Sequence, residues 1–160
     1  MRKELSTMWG ELHEEKTVEI ILDSTINAGK ANRIFRELGA ELFYDVYAFE
    51  AKENENWQSE TLLGVTLKLN GVVVDAQDDF NQIDASFLFA SRPSSDQSKA
   101  LALIEKLLMV FNGKGIYKGC DFIVSDVQKD WDCCSDFLLK EWGEEPGSKS
   151  LAIMIHENYA

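Results

Sequence analysis

The chain predicts an α+β domain: a mixed, mostly antiparallel sheet of about seven strands, with three main helices packed mainly on one face. Three observations carry this expectation. Hairpin signals and amphipathic helices alternate along the sequence. Asn70-Gly71 separates two β-rich runs, and that dipeptide suits the φ > 0 positions of a type I′ turn. Two long segments, 94–112 and 125–142, each show one apolar stripe between a start and a stop signal.

Leu5, Met8, Trp9 and Leu12 fall at helical spacing, but Gly10 interrupts them, so residues 1–16 read as a leader or short helix and residues 17–160 as the domain. Val18, Ile20 and Leu22 alternate in TVEIILD, a strand over 17–23. Ala31, Ile34, Phe35 and Leu38 share one face of a helix over 27–38, with Gly39 as its stop. The aromatic, β-branched run 41–50 reads as one strand. A polar loop, KENENWQS, leads to a hairpin of strands 61–69 and 72–76 about Asn70-Gly71. ASFLFA at 85–90 reads as a central strand because it carries no charge.

Ser94 and Gln97 have capping-box spacing and open a helix whose stripe is Leu101, Ile104, Leu108 and Phe111, ended by Asn112-Gly113. GCDFIVS at 119–125 reads as a strand. Ser125 and Gln128 repeat the capping pattern before a helix carrying Val127, Trp131, Cys134, Leu138 and Trp142, with Gly143 as its stop. That register turns Cys133 away from Cys134, toward Asp132 and Asp136. SLAIMIHE at 150–157 reads as a last strand.

The balance is acidic: 28 Asp and Glu against 16 Lys and Arg, net −12. Residues 1–80 hold 16 of the acids, so the charge is spread along the chain and not gathered in a tail. Such a field opposes phosphate backbones and anionic membranes, which argues against nucleic-acid and membrane partners and for a basic protein. Three cysteines form no disulfide framework, and the absence of an apolar signal segment suggests the cytoplasm.

Chemistry-bearing clusters are sparse. Cys120, Cys133, Cys134, His13 and His156 lack zinc-ligand spacing, with Cys120 and Cys134 reading as core residues. Asp75, Gln77 and Asp79 alternate as in a calcium loop, but Phe80 stands where glycine is needed. No metal or cofactor is expected. Lys30, Arg33 and Arg36 form the one basic cluster, near a helix N-terminus, and are the candidate anion site. Phe43, Tyr47 and Phe49 on one strand face, with Asp45 among them, suggest an aromatic platform. Trp57 stands alone in a polar loop beside Glu53 and Glu55, as an interface anchor would. Asp132 and Asp136 are a second acidic candidate for partner binding.

In size, charge and aromatic content the chain resembles small, acidic, single-domain inhibitor proteins, such as the immunity proteins that neutralise a toxin. The resemblance implies a non-catalytic protein that sequesters a basic partner. Two other expectations stand beside it. One is a small enzyme or ligand-binding domain with a pocket near Lys30 or Cys133. The other is a structural homo-oligomer that buries Trp57 against a second copy.

Overall fold

The protein is described by a computed structural model covering residues 15–50, 61–89, 94–148 and 151–159. Eight strands form one sheet: β1 (Glu15–Ile26), β2 (Ala40–Phe43), β3 (Val46–Glu50), β4 (Thr61–Leu69), β5 (Val72–Val73), β6 (Phe80–Leu88), β7 (Lys114–Tyr117) and β8 (Cys120–Asp121). Their order is β2-β3-β4-β6-β1-β7-β8, with β5 paired to β4. Every hydrogen-bonded pair is antiparallel. Parallel strands occur only as second neighbours: β6 and β7 run the same way on either side of β1.

Among the described residues there are four helices: α1 (Ala28–Glu37), α2 (Ser94–Phe111), α3 (Val124–Phe137) and α4 (Leu151–Tyr159). A π-helical turn, Leu138–Trp142, extends α3 without a break. The expected stripe of α3 holds: Val127, Cys134 and Leu138 are buried, and Trp131 and Trp142 pack against them. Gly143 adopts φ 66°, and the amides of Gly143 and Glu144 donate to the carbonyls of Leu139 and Leu138, so the helix stops where glycine permits a left-handed turn.

One core lies between helices and sheet. Val18, Ile20, Tyr47, Phe49, Leu63, Val65, Leu67, Ile83 and Ala85 point into it from the strands; Phe35, Ile104, Leu107 and Val127 meet them from α1, α2 and α3. Phe35 stacks on Tyr47 with ring centroids 4.4 Å apart, and Phe111 closes over it at 5.2 Å. The Tyr47 hydroxyl donates to Asn32 Oδ1 at 2.7 Å, which ties β3 to α1.

Several segments differ from the sequence reading. The run 41–50 is two strands, not one, folded about Tyr44-Asp45 with Tyr44 at φ 55°. The aromatic platform does not form, because Tyr47 and Phe49 enter the core while Phe43 lies on the other face. The strand expected at 72–76 is confined to Val72–Val73. The segment 119–125 gives only the two-residue β8 before α3 begins at Val124. Its N-cap is Ile123 without a side-chain cap, so Ser125 does not cap the helix. Cys120 is exposed and not in the core. Residues 151–159 are helical; Met154 is buried while its neighbour Ile153 is exposed.

The N-terminus of α1 has a complete set of partners. Asn27 Oδ1 accepts from the amides of Gly29 and Lys30, Asp79 Oδ1 accepts from Ala28, and the Asn27 carbonyl accepts from Ala31. Asn27→Ala is expected to lower stability by about 1 kcal/mol. Urea unfolding of the two proteins measures it; an unchanged midpoint would show that water replaces the cap without loss.

Candidate functional site on the open sheet face

Strand residues alternate between two faces. One face meets the helices. Helices α1, α2 and α3 pack on that face, and the other exposes Phe43, Val46 and Ile21.

Strand registers arrange the open face in rows that cross the sheet. The middle row is Phe43, Val46, Thr66, Asp84, Glu19, Ile116 and Asp121, one residue from each of seven strands. At roughly 4.8 Å per strand this row is about 29 Å long. On one side lies the row Val73, Lys68, Gln82, Ile21 and Lys114. On the other lies Glu41, Ala48, Gly64, Ser86 and Thr17. Phe43 is 50% exposed, Val46 38% and Ile21 37%, so apolar side chains reach solvent between the charges.

Asp84 and Glu19 stand directly opposite each other at the centre of the sheet. Like charges so placed repel. Lys68 answers them: its ammonium lies 2.7 Å from Asp84 Oδ2, while Gln82 Nε2 donates to Asp84 Oδ1 at 2.8 Å. The hydrogen bond to Asp84, with the charges of Asp84 and Glu19, raises the Lys68 pKa against a small desolvation effect. Lys114 pairs with Asp121 at 3.4 Å. Both lysines are therefore engaged. Glu19 and Glu41 enter no ion pair among the described residues, so the face keeps a negative excess.

The small residues Gly64 and Ser86 leave a trough. Gly64 and Ser86 floor it, Val46 and Thr66 wall one side, and Leu88 and Glu15 the other; its volume is about 260 Å³. The hydroxyls of Thr17 and Ser86 lie 2.9 Å apart near one end.

A second polar cluster ties α3 to the β7–β8 hairpin. The Tyr117 hydroxyl donates to Asp130 Oδ2 at 2.7 Å, and Lys118 Nζ approaches the same oxygen at 3.1 Å. Burial, then the hydrogen bond and charge of Asp130, push the Tyr117 pKa far above the usual phenol range. Burial opposes the charged form of Asp130, but the bonds from Tyr117 and Lys118 and the charges of Lys118 and Lys16 outweigh it and hold its pKa below the usual range. Lys16 reaches into the same region, over the Phe89 ring at 5.3 Å, and desolvation first, then Lys118, lowers its pKa. A shallow depression of about 240 Å³ beside the cluster is lined by Tyr117, Lys118, Cys120, Asp126, Lys129 and Asp130.

The residues singled out from sequence are not brought together. Trp57, Glu53 and Glu55 lie outside the described residues. Asp132 and Asp136 are exposed on α3, in the helical layer and so across the molecule from the open sheet face. Lys30, Arg33 and Arg36 are exposed on α1. A depression of about 380 Å³ beside them takes in Gly29, Asn32 and Arg36, but the amides of that helix end are already occupied. Cys133 is exposed and Cys134 buried, as the helical register required. Glu19, Asp84, Lys68 and Gly64 were not anticipated. Alternation marks them as outward-facing, yet only the register sets them side by side.

No protein-family profile matches the chain, and no curated protein is significantly similar to it.

Proposed function

We propose that the protein is a non-catalytic binding protein that sequesters or inhibits a basic protein partner through the open face of its sheet. The observation that carries this reading is the row across that face: exposed Phe43 and Val46 at one end, and carboxylates of Asp84 and Glu19 at its centre. Carboxylates steer a cationic protein and speed its encounter; exposed apolar groups hold it once docked. Trp57, Glu53 and Glu55 belong to this reading as a further contact, and Asp132 and Asp136 would serve a partner that reaches round to the helical layer. Self-association through the open face would set like charges together, which opposes the homo-oligomer.

The test is capture from a lysate of the native host on immobilised wild-type protein and on the Glu19→Lys/Glu41→Lys variant, at low and high salt. The wild type is expected to hold one basic protein at low salt and release it at high salt, and the variant to hold little. With the purified pair, the association rate should fall at least about tenfold from low to high salt. Equal retention by both proteins, or retention of nothing, would overturn the proposal.

A further inference from the structure

The depression of about 380 Å³ beside α1 lies between that helix, the edge strand β2 and the loop that leads into β6. Its lining divides in two. Ala28, Leu42 and Ala76 are apolar, while Asn32, Arg36 and Gln77 bring side-chain N–H donors. Arg36 is its one charged group. The trough on the open face contains Glu15, and the depression beside Tyr117 sets two carboxylates against two lysines, so neither offers this balance. Two carboxylates close to the depression are already engaged. Asp79 Oδ1 accepts from the Ala28 amide at 3.2 Å and Asp45 Oδ1 from the Ala76 amide at 3.4 Å, and neither residue lines the space.

Arg36 is held through its neck. Its Nε donates to Asn32 Oδ1 at 3.4 Å, and the buried Tyr47 donates its hydroxyl to the same oxygen at 2.7 Å. A guanidinium nitrogen can only donate, so this pairing fixes which end of the Asn32 amide is the oxygen. Asn32 Nδ2 and the two terminal nitrogens of Arg36 are left without a partner among the described residues, and Arg36 enters no ion pair there.

We infer that this depression binds a small carboxylate with a short aliphatic body. The Arg36 terminal nitrogens and Asn32 Nδ2 hold its two oxygens, and its methylenes lie against Ala28, Leu42 and Ala76. A planar carboxylate suits a guanidinium fork. Phosphate asks for more donors, and the helix-end amides that would supply them are already taken by Asn27 and Asp79. The volume is at the low end for ligand sites, which fits a small molecule. Helix α1 packs on the opposite side of the sheet from the open face, so the inference does not depend on the proposed partner.

The inference can be tested with isotope-labelled full-length protein titrated with hexanoate, hexanol and inorganic phosphate, in wild type, Arg36→Gln, Arg36→Lys and Asn32→Asp. Arg36 is exposed, and Asn32→Asp keeps the acceptor that Tyr47 needs, so all three variants should fold. Hexanoate is expected to shift the amide resonances of Asn32, Leu42 and Gln77 in the wild type, and to bind Arg36→Gln at least about tenfold more weakly. Arg36→Lys keeps the charge but loses the fork, and should fall between the two. Asn32→Asp replaces a donor by a carboxylate and should not bind hexanoate. Hexanol and phosphate should leave these resonances in place. Equal binding of hexanoate by wild type and Arg36→Gln, or no shift at these residues, would overturn the inference. Equal shifts from hexanol would reduce the site to an apolar patch, and equal shifts from phosphate to a general anion site; either would overturn the carboxylate.

Discussion

Phe35→Ala is expected to lower the unfolding free energy by about 3–5 kcal/mol. Phe35 is fully buried and stands between the rings of Tyr47 and Phe111, so the cavity would have aromatic walls on both sides. Those walls belong to β3 and α2, which are held in place by other contacts and cannot close in far. The loss also loosens the Tyr47 hydroxyl from Asn32, since the stack sets the ring that carries it. Domains of this kind have about 5–15 kcal/mol to lose, so the variant should sit close to its unfolding threshold. Urea unfolding measures the effect as a lowered midpoint with an unchanged slope. A loss below about 1 kcal/mol would mean that α1 settles onto the sheet and fills the space.

Asp130→Ala is the second large effect, expected at about 2–3 kcal/mol. Tyr117 is buried, and its hydroxyl would lose the carboxylate it donates to. Lys118 is well exposed and its loss of a partner adds little. The cluster also fixes two limbs of the pH–stability curve. Asp130 has a lowered pKa in the fold, so its contribution is complete above the unfolded value near 3.9 and fades as pH falls below it. Tyr117 has a raised pKa, so its contribution is complete below about pH 10 and fades as pH rises beyond. Lys16 acts the other way: its lowered pKa means that stability is gained as pH rises through that value. In Asp130→Asn the acid limb should shrink. Tyr117 should ionise at lower pH, because two of the causes that raise it come from Asp130. Tyrosinate absorbance and urea midpoints across pH measure both limbs. An unchanged tyrosine titration would place the Tyr117 shift in burial alone.

Elements with a strong period or a strong turn were legible. The Asn70-Gly71 hairpin forms with φ 49° and 83° at the two turn residues, as the dipeptide demands. The α3 stripe and its Gly143 stop were visible because five apolar positions and one glycine all agree. The β2–β3 hairpin was hidden because its turn, Tyr44-Asp45, uses a tyrosine at positive φ and lies inside an aromatic run. Nothing in composition marks such a turn; it is held from outside, with the Ala76 amide donating to Asp45 Oδ1 at 3.4 Å. The helix α4 was read as a strand because LAIMI is short and apolar, and such a run fits either period until its neighbours decide which sides are buried.

The site was less legible than the fold for a related reason. Glu19 lies between Val18 and Ile20, and Asp84 between Ile83 and Ala85, so each is plainly outward. That they face each other, with Lys68 paired to Asp84, follows from pairing between strands about 65 residues apart in sequence, which no local pattern encodes. Gly64 was equally inconspicuous, since a glycine in a strand acquires meaning only when its neighbours on both sides are known to be small.

The position of β1 has a consequence for how the chain is made. It is made before the other described strands, yet its two hydrogen-bonding neighbours are β6 and β7, which come from residues 80–88 and 114–117. At ~5–20 residues per second, β1 waits on the order of ten seconds for its second neighbour. Until β6 has emerged, an apolar strand bearing Val18, Ile20 and Leu22 has no native pairing available. Folding of the sheet is therefore paced by long-range closure, and β1 is the strand most exposed to aggregation while it waits.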